Sequence, residues 1–235
     1  QPLQVTCHRG AIALAHNGNL VNAHTLKREM ETDGSIFTTS SDTEVFVHLV
    51  ARSKADSFED AIAEAVQRVE GAYSLAALTR DKLIAVRDPN GFRPMCIGRF
   101  QDSYIVASES CAFDIIGATY LRDIAPGEMV VLDGDGLTSR QVMQPAKPSQ
   151  CVFEHIYFSR PDSTVFGQSV DAIRRKCGAI LGRESHVDAD FVCAVPDSSN
   201  TAALGYAQAT GLPFELALIR NHYVGRTFIS PAQKV

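Results

Sequence analysis

Two short polar motifs near the start of the chain carry groups that could act on a substrate. The first, Asn17-Gly18-Asn19, follows the short apolar run 11–15, which predicts a buried strand. An Asn side-chain amide beside a Gly backbone N–H can form an oxyanion hole, which stabilises the negative charge of a tetrahedral intermediate. The same dipeptide is a common tight turn, because Gly tolerates a positive φ and Asn tolerates the left-handed region. These residues alone leave both interpretations open.

The second motif, Ser41-Asp42-Thr43-Glu44, precedes an apolar helix face at 45–50. Ser41 and Glu44 have the spacing of a capping box, which predicts Ser41 as the N-cap residue. Asp42 would then lie in the first helical turn, where the helix dipole stabilises a carboxylate without any ligand. The alternative is that Asp42 binds the α-ammonium group of an amino-acid substrate.

A third motif lies in the last fifth of the chain, in Pro196-Asp197-Ser198-Ser199-Asn200-Thr201. The segment joins a predicted strand at 190–195 to a predicted helix at 201–210. Ser199 or Asn200 could simply cap that helix. The alternative is a phosphate or pyrophosphate site with Mg²⁺, because helix N-termini attract anions and the hydroxyls and the Asp197 carboxylate suit magnesium.

Other polar residues favour structural roles. The loop from Arg87 to Pro94 contains two arginines, and we interpret it as a β-turn with a paired Arg87 and Asp88.

The seven histidines lack metal-ligand spacing, although His16 adjoins Asn17. The six cysteines are scattered without a CxxC pair. Together with the lack of a secretion signal, this predicts reduced thiols and a cytoplasmic location.

Composition excludes two classes of partner. The formal net charge is −5 and no Lys/Arg cluster occurs, so we expect no nucleic-acid-binding surface. No apolar run approaches the roughly 18 residues of a membrane helix, so we expect no membrane partner.

The elements that position these motifs change along the chain. The first part predicts helices followed by short strands, which indicates an α+β domain with an antiparallel sheet. The predicted elements there are helices over 41–50 and 57–69, the second ending at Gly71, and strands at 73–78, 82–86, 104–107 and 128–132. Residues 144–149, rich in Pro, form the predicted linker. Beyond it, a helix at 170–186, a strand at 190–195, a helix at 201–210 with Gly211 as its C-cap, and a strand near 214–218 predict a βαβ unit.

These segments together resemble the amidophosphoribosyltransferase family, glutamine-dependent enzymes that open purine synthesis. The Arg-Pro-Asp-Ser and Gly-Arg-Thr-Phe-Ile stretches are the most specific, whereas Asn-Gly-Asn and Ser-Asp-Thr-Glu also occur in other class II amidotransferases. The matching stretches, in order along nearly the whole chain, are 15–20, 39–44, 87–89, 91–94, 153–163, 195–199 and 220–229.

The resemblance implies two domains. Residues 1–148 would be an N-terminally incomplete glutaminase domain of the α+β N-terminal-nucleophile (Ntn) type, with αββα layers. Residues 149–235 would begin an α/β type I phosphoribosyltransferase domain that is incomplete at its C-terminus. In this family Asn17 and Gly18 would form the oxyanion hole, and Asp42 would bind the α-amino group of glutamine.

Roles in the second domain also follow from the resemblance. Ser198 would help to hold Mg²⁺ in the pyrophosphate loop, in which Asp197 and Ser199 would contact the substrate. Residues 223–229, with Arg226 and Thr227, resemble the loop that closes over the ribosyl donor. Cys151 matches one ligand of the [4Fe-4S] cluster that part of the family carries.

The implied reaction moves ammonia from glutamine to phosphoribosyl pyrophosphate, with an N-terminal Cys thiolate attacking the glutamine amide. That Cys and a substrate-binding Arg would lie upstream of Gln1, and the ribose-phosphate loop downstream of residue 235. We therefore expect this chain alone to be inactive. The family also implies homo-oligomers inhibited by purine nucleotides. The alternatives are another class II amidotransferase, related to glucosamine-phosphate synthase or asparagine synthetase, and a non-catalytic regulatory relative.

Overall fold

A computed structural model describes residues 1–223, and the internal contacts divide the chain into one unit, Gln1–Glu154, and a second that starts at His155. The first unit contains nine strands and four helices among these residues. They are β1 (Leu3–Cys7), β2 (Gly10–Leu20), α1 (Ala23–Thr32), α2 (Thr43–Arg52), α3 (Phe58–Val66), β3 (Gly71–Leu78), β4 (Leu83–Arg87), β5 (Cys96–Phe100), β6 (Ser103–Ala107), α4 (Cys111–Ile116), β7 (Thr119–Asp123), β8 (Glu128–Asp133) and β9 (Gly136–Gln141).

The larger sheet is antiparallel throughout and has the strand order β1-β2-β3-β4-β8-β9. Its strands alternate apolar and polar residues, which buries one face of each strand. In β2 this alternation buries Ile12, Leu14, His16 and Leu20. The buried face packs against α1, α2 and α3 in the principal hydrophobic core, which includes the fully buried Phe46 of α2. The sheet thereby fixes the direction of every side chain in β2.

A smaller antiparallel sheet, with the order β6-β5-β7, forms the next layer. Ile97 of β5 packs with Val130 of β8 in a second core between the two sheets. The adjacent residue, Gly98, points to the other face, where an added Cβ would meet the ring of Phe113 in α4. The first unit therefore has the α–β–β–α layering that the resemblance predicts.

The described part of the second unit consists mainly of helices, with one short hairpin. A π-helical turn at Glu154–Phe158 leads into it, followed by β10 (Thr164–Val165), β11 (Gln168–Ser169), α5 (Val170–Glu184) and α6 (Asn200–Thr210). The two long helices pack closely because glycines lie at their contact: an added Cβ at Gly178 would overlap the carbonyl of Ala202, and one at Gly205 the carbonyl of Arg175. No helix in residues 1–223 combines the length and the apolar character that a bilayer crossing requires.

Most predicted elements are confirmed. The four predicted strands of the first unit appear as β3, β4, β6 and β8, and the helices at 170–186 and 201–210 appear as α5 and α6. Gly211 is the C-cap of α6, with a left-handed φ of 77°. The predicted parallel strands appear only as an isolated parallel bridge between Val192 and Phe214, flanked by two backbone hydrogen bonds.

Two local predictions were wrong, and one of the open alternatives is excluded. Asn17-Gly18-Asn19 is not a turn, because β2 continues to Leu20 and pairs with β3 over this whole stretch. The second helix ends at Val66, and Gly71 instead opens β3 with a φ of +134°. The capping box is also absent from the described residues, since α2 begins at Thr43 and its N-cap residue is Asp42, which makes no side-chain cap.

The Pro-rich segment 144–149 is hydrogen-bonded rather than free. Its Ala146 N–H donates to the carbonyl of Pro89 (2.8 Å), and its Ser149 N–H donates to that of Asn90 (2.9 Å). These bonds hold the segment against the loop that follows β4. The assignment of 1–148 and 149–235 to two domains stays a prediction.

Candidate active site

The carboxyl end of β2 presents three backbone N–H groups along one edge. The His16 N–H donates to Oε1 of Gln1 (2.6 Å), and the Leu20 N–H donates to Oδ2 of Asp42 (3.0 Å). Alternate residues of a strand direct their N–H groups to the same edge. The Gly18 N–H is therefore directed to this edge too, between the Gln1 carboxamide and the Asp42 carboxylate.

The register of the sheet leaves the Gly18 N–H available. On the β3 side Gly18 lies opposite Tyr73, whose N–H and C=O contact Asp88 instead of β2. On the β1 side the pairing stops at Leu3, opposite Leu14. Within the described part of the chain, neither neighbouring strand pairs with this N–H. It can therefore donate to a ligand at the open edge.

Gly18 itself is required by packing. A Cβ at this position would overlap the carbonyl oxygen of Ala72, because β3 approaches the backbone of β2 closely here. Only glycine permits this approach without moving one strand away from the other.

Asn17 supplies a side-chain amide next to that backbone donor. The residue is exposed, and across residues 1–223 its amide makes no hydrogen bond. A polar side chain at the end of a central strand with no structural partner is free to contact a ligand. The Asn17 amide and the Gly18 N–H together provide the two kinds of donor that an oxyanion hole uses.

The structure brings Asp42 to the same strand end. Its Oδ2 accepts from Leu20 as described, and its Oδ1 lies 3.5 Å from Nδ1 of His16. The Asp42 side chain is 26% exposed, and its Oδ2 is held by the backbone. A partly exposed carboxylate fixed in this way can bind a cation such as an ammonium group.

Glu44 contacts the segment before the helix instead of completing a capping box. Its carboxylate accepts four hydrogen bonds, from the N–H and hydroxyl of Thr38 (2.7 and 2.9 Å) and from those of Thr39 (2.7 and 2.7 Å). Burial raises the pKa of Glu44, but the four hydrogen bonds outweigh burial and lower the pKa to about 2. The ionised Glu44 thus anchors the segment that leads to Asp42.

The Arg87–Arg93 loop is structural. The buried Arg87 guanidinium donates to the carbonyls of Gly91, Arg93 and Ile124 (3.0, 2.8 and 2.7 Å). Asp88 is fully buried and accepts from the N–H of Asn90 at 2.9 Å. The predicted structural turn is therefore confirmed, and both charged groups bind backbone groups of the loop or of the segments beside it.

The hydroxyl-rich loop of the second unit lies before α6. Asp197 forms an ion pair with Arg220 (2.8 Å), and both side chains are half exposed. Ser199 precedes α6, but its hydroxyl donates to the carbonyl of Val195 and does not cap the helix. The Thr201 hydroxyl oxygen is buried without a hydrogen-bond partner among the described residues. Capping alone therefore does not account for the hydroxyls of this loop.

Cys151, the candidate cluster ligand, lies in the described part of the chain. Cys151 is half buried, and its N–H donates to the carbonyl of Phe92 at 3.1 Å. In residues 1–223 no group of three or more His, Cys, Asp or Glu side chains could hold a metal ion. One thiolate does not fit a four-ligand cluster without ligands from elsewhere. Arg226 and Thr227 lie outside the described residues.

Sequence reasoning missed the residues that support Asp42. Thr43 and Gln1 contact His16 and each other, and the hydroxyls of Thr38 and Thr39 bind Glu44. Their only signal was proximity to the two motifs. The contacts themselves depend on the pairing of distant elements, which local patterns do not contain.

Comparisons with known proteins agree with this geometry. Residues 1–114 match the model of a glutamine amidotransferase domain. Over its full length the chain is 55% identical to amidophosphoribosyltransferase 1, chloroplastic, of Arabidopsis thaliana. It is also 52% identical, over 96% of its length, to the amidophosphoribosyltransferase of Bacillus subtilis. By sequence, the chain is similar over its full length to amidophosphoribosyltransferases.

A solved member of this family has the same fold. The glutamine phosphoribosylpyrophosphate amidotransferase of B. subtilis, complexed with ADP and GMP, superimposes with a TM-score of 0.91 at 51% identity over 99% of this chain. The predicted α+β Ntn-type fold of the glutaminase part is thereby confirmed. The chain spans 42% of the Arabidopsis protein and 48% of the B. subtilis protein, about half of these relatives or less.

Proposed function

We propose that the full-length protein containing this chain is an amidophosphoribosyltransferase. It would convert glutamine and phosphoribosyl pyrophosphate into 5-phosphoribosylamine, glutamate and pyrophosphate. The observation that carries the proposal is the placement of an unpartnered Asn17 amide and the Gly18 N–H beside the Asp42 carboxylate. These groups suit the two ends of glutamine, its amide and its α-ammonium group.

In the glutaminase half-reaction, Asp42 binds the α-ammonium group and so fixes the position of the substrate. A Cys thiolate from outside this chain attacks the amide carbon, and the carbonyl oxygen becomes negatively charged. The Asn17 amide and the Gly18 N–H donate hydrogen bonds to that oxygen. Ammonia leaves when the tetrahedral intermediate collapses to a thioester, and water then releases glutamate.

In the second half-reaction, ammonia displaces pyrophosphate from the ribosyl donor. The N-terminus of α6 and the hydroxyls of Ser198 and Ser199 suit the phosphate oxygens. Mg²⁺ binds proteins through few ligands and keeps substrate phosphates or water for the rest, which fits a loop offering Ser198 and Asp197. When bound, it neutralises phosphate charge. We also assign Arg226 and Thr227 to substrate binding, by the resemblance alone.

The test is pyrophosphate release by the purified full-length protein with Mg²⁺ and phosphoribosyl pyrophosphate. We expect release with glutamine and also with ammonia. Release with neither nitrogen source contradicts the proposal and favours a non-catalytic relative. Glutaminase activity without dependence on phosphoribosyl pyrophosphate favours another class II amidotransferase. The 235-residue chain assayed alone should show neither activity, because we place the nucleophile outside it.

Further properties are proposed on the family relationship. A solved relative is described as complexed with ADP and GMP, which supports inhibition by purine nucleotides. We also propose a homo-oligomer, measurable by analytical ultracentrifugation of the full-length protein. The Arabidopsis relative is described as chloroplastic, so the proposed cytoplasmic location needs a direct test by cell fractionation.

We propose Cys151 as one ligand of a [4Fe-4S] cluster whose other thiolates come from outside this chain. Four thiolates hold such a cluster, and the half-buried position of Cys151 is compatible with one of them. Iron content and visible absorbance of anaerobically purified full-length protein test this, with C151A as the comparison and C177A, an exposed cysteine, as the control. Absence of iron from the parent protein contradicts it.

A further inference from the structure

The imidazole of His16 is buried beside the candidate site, and the oxyanion hole does not account for it. Its side chain is 1% exposed. Nε2 lies 3.4 Å from the carbonyl oxygen of Ala72, and Nδ1 lies 3.4 Å from Oγ1 of Thr43. The ring of Phe46 packs edge-on against the imidazole, with the centroids 5.6 Å apart. A buried imidazole with polar groups at both nitrogens needs a reason for its position.

The hydrogen bonds around the ring define its tautomer. A carbonyl oxygen only accepts, so the imidazole proton is assigned to Nε2, facing Ala72. Nε2 of Gln1 donates to Oγ1 of Thr43 (3.4 Å), which leaves the Thr43 hydroxyl proton to be donated to Nδ1 of His16. Nδ1 is then an acceptor and carries no proton.

This tautomer determines the state of Asp42. Oδ1 of Asp42 lies 3.5 Å from Nδ1 of His16, and two acceptors at that distance form no hydrogen bond. The carboxylate is instead held through Oδ2 by the Leu20 N–H. Oδ1 therefore keeps its negative charge available to an external cation. Among the described residues, Asp42 is the only ionised side chain within ion-pair distance of His16.

We propose that His16 is a positioning residue for substrate binding by Asp42. Its neutral imidazole supports the Asp42 and Thr43 end of α2 and leaves Oδ1 for the α-ammonium group of glutamine. This inference rests on the proposed function, because it assumes that glutamine is the ligand.

Two substitutions separate these roles in the full-length protein. H16N keeps an acceptor near the position of Nδ1, whereas H16L removes it. H24N replaces an exposed histidine of α1 and serves as the matched control. For each protein, kcat and KM are measured with glutamine and with ammonia at pH 8.

We expect H16L to raise the KM for glutamine about tenfold, the effect of losing one polar contact, while its ammonia-dependent kcat stays unchanged. H24N should keep the KM of the parent. In H16N, which retains an acceptor, the KM for glutamine should lie within about threefold of the parent.

An unchanged KM in H16L overturns the inference, and so does a KM in H16N raised as far as that in H16L. If H16L does not fold, the KM of H16N decides alone, and a rise beyond about threefold overturns the inference. A parent protein that does not use glutamine at all instead refutes the proposed function, so the two failures are distinguishable.

Discussion

Asn17 and Gly18 use different groups, a side-chain amide and a backbone N–H, and they should respond differently to substitution. The exposed Asn17 amide has no partner among the described residues, so N17A should leave stability unchanged. We expect a loss of roughly 10²–10³ in glutamine-dependent kcat, the scale of one oxyanion donor, with ammonia-dependent kcat retained. N19A, also exposed on β2, is the control. Equal losses in both assays would show that Asn17 has a structural role instead.

Substitution of Gly18 should act on both folding and activity. The Cβ of G18A would overlap the Ala72 carbonyl, so β2 and β3 must separate and the Gly18 N–H must move. We expect a loss of about 1–3 kcal/mol in unfolding free energy, typical of overpacking, together with loss of glutamine-dependent activity. Urea unfolding of the full-length protein measures the first. G134A, which meets no atom within 4 Å, should change it by less than about 0.5 kcal/mol. Equal stability of G18A and the parent would contradict the packing argument.

At the scale of elements, Glu44 joins the start of α2 to the segment 38–42. Its pKa is about 2 in the folded protein against an ordinary 4.5, so its contribution to stability is present above pH 4.5 and is lost as the pH falls from 4.5 toward 2. E44Q should therefore lower the unfolding free energy by up to about 3 kcal/mol at pH 7. The difference from the parent should shrink below pH 4.5. Urea unfolding at pH 7 and at pH 3 measures both effects, with the exposed E31Q as control. A difference independent of pH would contradict the assigned role.

Sequence patterns predicted several elements well. The apolar run of β8 and the helices α5 and α6, the latter ended by Gly211, were found close to their observed bounds. The Asn-Gly turn, one of the two interpretations left open, does not form because eight residue pairs with β3, from Ala13 to Leu20, outweigh a local turn preference. Glu44 was misassigned because its partners, Thr38 and Thr39, precede the predicted capping box.

The candidate site was predicted in part. Local motifs identified Asn17, Gly18 and Asp42, and the fold brings Asp42 to the end of β2. Local motifs could not identify the support that Thr43 and Gln1 give to His16, because these contacts join segments 27 and 15 residues apart from His16 in the chain. Such contacts are set by sheet register and helix placement, not by neighbouring residue types.

At the scale of the whole molecule, the proposed function assigns one half-reaction to each end of the chain, and substitutions should reveal that division. Both nitrogen sources require the ribosyl donor, so S198A should reduce pyrophosphate release with glutamine and with ammonia by the same factor. The loss of one hydroxyl contact to a charged ligand predicts a reduction of about 10–100-fold. N17A should reduce the glutamine-dependent reaction alone. S103A, an exposed serine of β6, should affect neither reaction. A loss confined to glutamine in S198A would place Ser198 in the glutaminase half-reaction and would refute the division, because a residue acting on the ribosyl donor cannot distinguish where the ammonia came from.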